Sequence, residues 1–207
     1  MLDKVFDSLA HHLGANTETI GVMWQELESA YSGPKRFYHN LGHLRHMYQL
    51  LEPHLPSAQN PDALLIALFY HDAVYNPRRT NNELKSSNLL SRRLVAIRQP
   101  ESFIETAMGL ILATQTHDAR GDHDTALFLD ADLAILGSAH PEYVQYAEAI
   151  RKEFSMFPDW IYRPARTKVL QRFLARPAIF LSPVFYPQFE ATARQNLEWE
   201  IGQLHHG

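Results

Sequence analysis

Cysteine is absent from the 207 residues. That excludes disulfide staples, thiolate catalysis and metal centres built on sulfur, and it leaves His, Asp and Glu as the available ligands. A surplus of positive charge is missing too. With a net charge of −4 and a pI near 6.3, the chain has no global attraction for a nucleic acid duplex or an anionic membrane, so small molecules are the expected partners. No stretch approaches the roughly 18 apolar residues of a membrane span. Residues Met1 to Asp7 lack the basic region and apolar core of an export signal, which makes the cytoplasm the expected compartment. Strand-type alternation, fixed-period repeats and low-complexity linkers are also missing, so a single domain is expected over residues 1–207.

What is present is helix. Apolar residues at helical spacing, closed by Gly14, predict a first helix over residues 2–13, and Asn16 is a cap for a second over 17–32. A third is expected from about Asn40 to Glu52, with Pro53 marking its end. Asn60-Pro61-Asp62 combines a cap, a proline at the first helical position and an acid in the first turn. It opens a helix read to about Tyr75, apolar on all sides and therefore central. Further helices are read at roughly 81–97, 101–116, 125–136, 140–155, 160–175 and 187–204. The fold class is all-α.

The 12 histidines are many for this length. His11, His12, His205 and His206 lie near the ends and are set aside. Three His-Asp dipeptides occur, at His71-Asp72, His117-Asp118 and His123-Asp124. The first ends an apolar helix, where both groups would be partly buried and would need a partner. The other two flank the polar stretch Ala119-Arg120-Gly121-Asp122 and read as solvated loop residues. His39 and His43 stand at i and i+4, which suggests one helix face. Asp130 and Asp132 interrupt the apolar run Leu127 to Leu136, where carboxylates also need a partner. One divalent cation would satisfy the whole set, since imidazole and carboxylate suit Zn, Mn, Fe, Co or Ni, and Mg less well.

The order His43, His71-Asp72, Asp132 resembles the H…HD…D pattern of the HD superfamily of metal-dependent phosphohydrolases, over residues 36–137. It is closest to the small bacterial group of predicted HD phosphohydrolases, through Arg36-Phe37-Tyr38-His39-Asn40, Phe69-Tyr70-His71-Asp72-Ala73-Val74-Tyr75, Asn82-Glu83-Leu84-Lys85-Ser86 and Phe128-Leu129-Asp130-Ala131-Asp132. The resemblance implies an HD-type helical bundle with a C-terminal helical extension, 138–207. It also implies metal on His43, His71, Asp72 and Asp132, with Asp130 in a supporting or capping role.

The Tyr-His-Asn-x-x-His string is similar to that of cyclic nucleotide phosphodiesterases, which implies that His39 donates a proton. Dinuclear relatives carry extra histidines, and only His117 is placed to hold a second ion. Glu83 is the candidate for orienting water, and Lys85 and Arg36 for contacting phosphate; a solvated charge pair at a helix start is the plainer account of Glu83 and Lys85. The implied activity is hydrolysis of a small phosphate ester, with nucleotides among the candidates, by metal-activated water. The alternatives are a metal-containing nucleotide-binding regulatory module without turnover and a di-iron oxygenase on the same scaffold. The aromatic-rich C-terminal helices read as core packing with a potential subunit contact, and Arg163, Arg166 and Arg172 as a solvated face.

Overall fold

The computed structural model describes residues 1–119 and 121–206; Arg120, in the polar stretch singled out above, lies outside them. Among the described residues ten α-helices follow one another: α1 (Leu2–His12), α2 (Thr17–Tyr31), α3 (Leu41–Leu51), α4 (Pro61–Tyr70), α5 (Asn82–Ala96), α6 (Glu101–Ala113), α7 (His123–Leu133), α8 (His140–Glu153), α9 (Asp159–Leu174) and α10 (Tyr186–His206). Short 3-10 turns over Glu52–Ser57 and Ala134–Gly137 extend α3 and α7. No strand occurs among the described residues, and no helix there is long and apolar enough to cross a membrane.

The helix starts follow from local chemistry. The Asn16 side chain accepts from Thr19 N at 2.8 Å, Asn40 from Gly42 N at 2.7 Å and Asp122 from Thr125 N at 2.7 Å, each satisfying a donor that the first turn leaves free. The Asp122 cap sets the start of α7 at His123, ahead of the expected 125. Asn60 differs from expectation, since its side chain makes no capping bond. The backbone N–H groups of Gln59 and Asn60 instead donate to Asp124, at 2.9 and 2.7 Å. Asp124 is therefore buried and structural rather than a solvated loop residue.

Helix α4 is the centre. Ala63, Leu64 and every residue from Ile66 to Tyr70 are fully buried, and α1, α3, α5, α6 and α7 pack around the helix. Phe69 meets Phe6 edge to face with ring centroids 5.0 Å apart, and Trp24 closes the cluster. Burying each such side chain contributes roughly 1.5–3 kcal/mol. The helix stops at Tyr70 rather than at Tyr75, so His71 and Asp72 lie in the turn that follows.

The C-terminal helices cover the other side. α10 packs on α8, α9 and the turn after α7. At Gly137 a Cβ would come 2.6 Å from both Phe189 Cβ and Phe189 O, so only glycine allows this approach. Arg166 on α9 donates from Nε to Glu200 on α10 at 2.8 Å and stacks over Tyr146. With its side chain only 11% exposed, Arg166 is a buried partner and not part of a solvated face.

Candidate metal centre

Four pieces of chain converge beside α4. His43 comes from the first turn of α3, His71 and Asp72 from the turn after α4, Asp132 from the last turn of α7, and His117 from the turn after α6. The His43 and His71 Nε2 atoms lie 3.3 Å apart. Asp132 Oδ1 is 3.1 Å from His43 Nε2 and 3.6 Å from His71 Nε2. Donors about 2.1 Å from one ion are themselves roughly 3.0–3.4 Å apart, so two of the three separations have the spacing of ligands around a single metal and the third is slightly wider. Among the described residues, His43, His71 and Asp132 form the group able to hold an ion. Asp72 is outside the trio but touches it, with Oδ2 3.3 Å from His71 Nε2.

The tautomer of His71 agrees. Its Nδ1 lies 2.9 Å from Leu68 O, and a carbonyl can only accept, so Nδ1 keeps a proton and, once the ring is neutral, the Nε2 lone pair faces the site. Electrostatics point the same way. Burial pushes the His71 ring down, yet Asp72 and Asp132 outweigh it and lift the ring to about 9. Two carboxylates are pulling a cation into the cluster. Burial would raise Asp72 and Asp132, but the histidines around them hold both below the usual carboxylate range. His43 is shifted down, chiefly by burial, which keeps it neutral as a ligand must be.

His117 adopts a left-handed backbone, φ 50°, uncommon outside glycine. Arg176 secures that turn by donating to the carbonyls of Thr116 and His117. The His117 Nε2 then lies 3.4 Å from Asp132 Oδ2, on the far oxygen from the trio. The second dipeptide thus supplies a group at the site through its histidine. His123 and Asp130 do not enter the cluster by any hydrogen bond or ion pair among the described residues. Asp130 is fully buried and accepts from the backbone of Leu181 and Ser182, tying the segment before α10 to α7.

The residues predicted for chemistry fare differently. His39 precedes the cap Asn40, so it lies just outside α3 and not on one helix face with His43. Its ring still comes within 6.0 Å of the His43 ring, and its Nε2 is 3.9 Å from Asp72 Oδ2. Arg36 spends its guanidinium on backbone, donating to Asp72 O at 2.8 Å, His39 O at 3.1 Å and Ala73 O at 3.3 Å, between the rings of Tyr31 and Tyr75. It braces the two turns that carry His39 and Asp72. Glu83 and Lys85 are half-buried in the first turn of α5, without a side-chain hydrogen bond or ion pair among the described residues. That turn supports the site from outside, since Ser86 Oγ accepts from Val74 N at 3.0 Å.

One residue escaped the sequence reading. Glu153, at the end of α8, has a fully buried side chain. Its Oε1 accepts from Tyr38 N and His39 N at 2.8 and 3.0 Å. Its Oε2 accepts from His39 Nδ1 at 2.6 Å and from Tyr75 OH at 2.8 Å. A signal for it existed: Tyr143, Tyr146, Ile150 and Glu153 share one helical stripe, and an acid on an apolar stripe needs a buried partner. No family model, curated protein or solved structure matches the chain. The side-chain geometry therefore carries the functional weight.

Proposed function

We propose that this chain is a metal-dependent phosphoric ester hydrolase of the HD type, acting on a small phosphorylated molecule, with nucleotides among the candidate substrates. The observation that supports it most is the convergence of His43, His71 and Asp132, with Asp72 against His71. His and carboxylate ligands favour a first-row divalent ion such as Mn, Fe, Co, Ni or Zn over Mg. An ion held there supplies Lewis acidity to water and to a phosphoryl oxygen.

The chain's own groups supply the rest. The His39 Nδ1 is occupied by Glu153, so Nε2, facing Asp72, is the nitrogen free to protonate a leaving oxygen. Burial opposes a charged His39, but Asp72 and Glu153 prevail and its pKa is raised, which keeps a proton available near neutral pH. Arg36 holds the His39 and Asp72 turns in register. Glu83 and Lys85, on the helix that supports the His71-Asp72 turn, are the candidates for water and phosphate contacts.

The test is a hydrolysis screen of phosphomonoesters, cyclic nucleotides and dinucleotides with Mn, Co, Ni, Mg and Zn. Metal-dependent hydrolysis that His39→Ala lowers about 10²–10⁴-fold, with metal content intact, is the expected result. Tight nucleotide binding without hydrolysis would replace this reading with a regulatory module.

A further inference from the structure

We propose that Glu153 is the positioning residue for His39, fixing which imidazole nitrogen faces the metal centre, so that the C-terminal helical extension, residues 138–207, completes the site. The catalytic part of this rests on the hydrolase reading; the positioning part does not. A carboxylate only accepts, and Glu153 accepts four bonds at once, two from the backbone of residues 38 and 39, one from His39 Nδ1 and one from Tyr75 OH. The same group thus holds the His39 backbone and its ring. Because Nδ1 must keep its hydrogen to make that bond, any proton exchanged with a substrate travels through Nε2. The Tyr75 ring lies against the His39 ring, centroids 4.4 Å apart, and Tyr38 meets it edge-on at 5.0 Å, leaving the imidazole little freedom to flip.

Glu153→Gln isolates the effect because it keeps the shape and removes one acceptor oxygen. The two backbone N–H groups cannot reverse their polarity, so they claim the remaining amide oxygen. The amide NH₂ then faces His39 Nδ1 and Tyr75 OH, both of which can accept. The neutral ring must change tautomer, placing its proton on Nε2. Tyr75→Phe removes one donor and leaves Nδ1–H with its carboxylate.

The experiment is long-range ¹H–¹⁵N NMR of the histidine-labelled full chain, with the His39 signals assigned by their loss in His39→Asn. Nδ1 protonated in every charge state of wild type and Tyr75→Phe, and the proton moved to Nε2 in neutral Glu153→Gln, is the expected result. Kinetics on the same proteins should show kcat reduced roughly 10–100-fold in Glu153→Gln with KM and metal content unchanged. A wild-type neutral ring with its proton on Nε2 overturns the proposal even if Glu153→Gln does not fold, and so does an unchanged tautomer in the folded variant. The predicted tautomers without turnover by wild type on any phosphate ester would instead overturn the hydrolase reading and leave the positioning role in place.

Discussion

The His43 and His71 rings, one from α3 and the other from the turn after α4, bring their Nε2 atoms within 3.3 Å of each other. A hydrogen or a metal ion must lie between two nitrogens so close. In the metal-free protein a proton on His71 serves, because Asp72 and Asp132 outweigh burial and lift the ring to about 9. A metal ion must displace that proton. Binding should therefore release a proton into weakly buffered solution, and the affinity for Zn or Co should rise up to about tenfold per pH unit from neutrality, levelling off near 9. Calorimetry at several pH values checks this; a pH-independent affinity with no proton release would place the ion elsewhere.

His117 addresses the far oxygen of Asp132 and not the trio. Replacing it with alanine should leave the first ion bound. If the wild-type chain takes up two ions, His117→Ala should reduce the count to one, as read by elemental analysis. Loss of all metal in this variant would mean that the primary ligands include His117.

The Glu153–His39 pair makes stability depend on pH in both directions. Glu153 is held near 2 against an ordinary 4.5, since His39 and two backbone N–H groups outweigh its burial. Its contribution, on the order of 3 kcal/mol, is present above about 4.5 and is lost as pH falls toward 2. His39 is raised from 6.5, so its contribution is full below 6.5 and erodes as pH climbs through the folded value. Urea denaturation should show wild type exceeding Glu153→Gln most between about 4.5 and 6.5, with the gap shrinking on either side. A gap constant from pH 3 to 8 would contradict the pairing.

Tyr70 offers a test of the core that is independent of the site. Its hydroxyl is buried without a hydrogen-bond partner among the described residues, whereas the ring is fully packed in α4. Leaving such a group unsatisfied costs about 1–3 kcal/mol. Tyr70→Phe should raise stability by on the order of 1 kcal/mol in chemical denaturation. A loss of that size would reveal a partner for the hydroxyl.

Most of the helical order was legible because caps and apolar spacing are local signals. Asn16 and the Ile20, Met23, Leu27, Tyr31 stripe place α2 without any tertiary information. The end of α4 was not legible, because what stops it is remote. Beyond His71 the carbonyls of Asp72 and Ala73 are taken by Arg36, and Val74 N by Ser86, 36, 37 and 12 residues away. At the site, His43, His71 and Asp132 could be read from spacing and resemblance, as could His117. Glu153 could not be found from the motif region, since its bonds to His39 and Tyr75 span 114 and 78 residues. Arg166 misled for the same reason, its partner Glu200 lying 34 residues on.

The proposed home of the divalent ion is the trio His43, His71 and Asp132. Elemental analysis of the purified chain after equilibration with Mn, Fe, Co, Ni or Zn and removal of free metal decides it, alongside Asp132→Ala and the His71→Ala, Asp72→Ala double variant. The geometry predicts stoichiometric metal in wild type and none in either variant, with the folded helical content preserved. Stoichiometric metal retained in folded Asp132→Ala or in the folded double variant would contradict it.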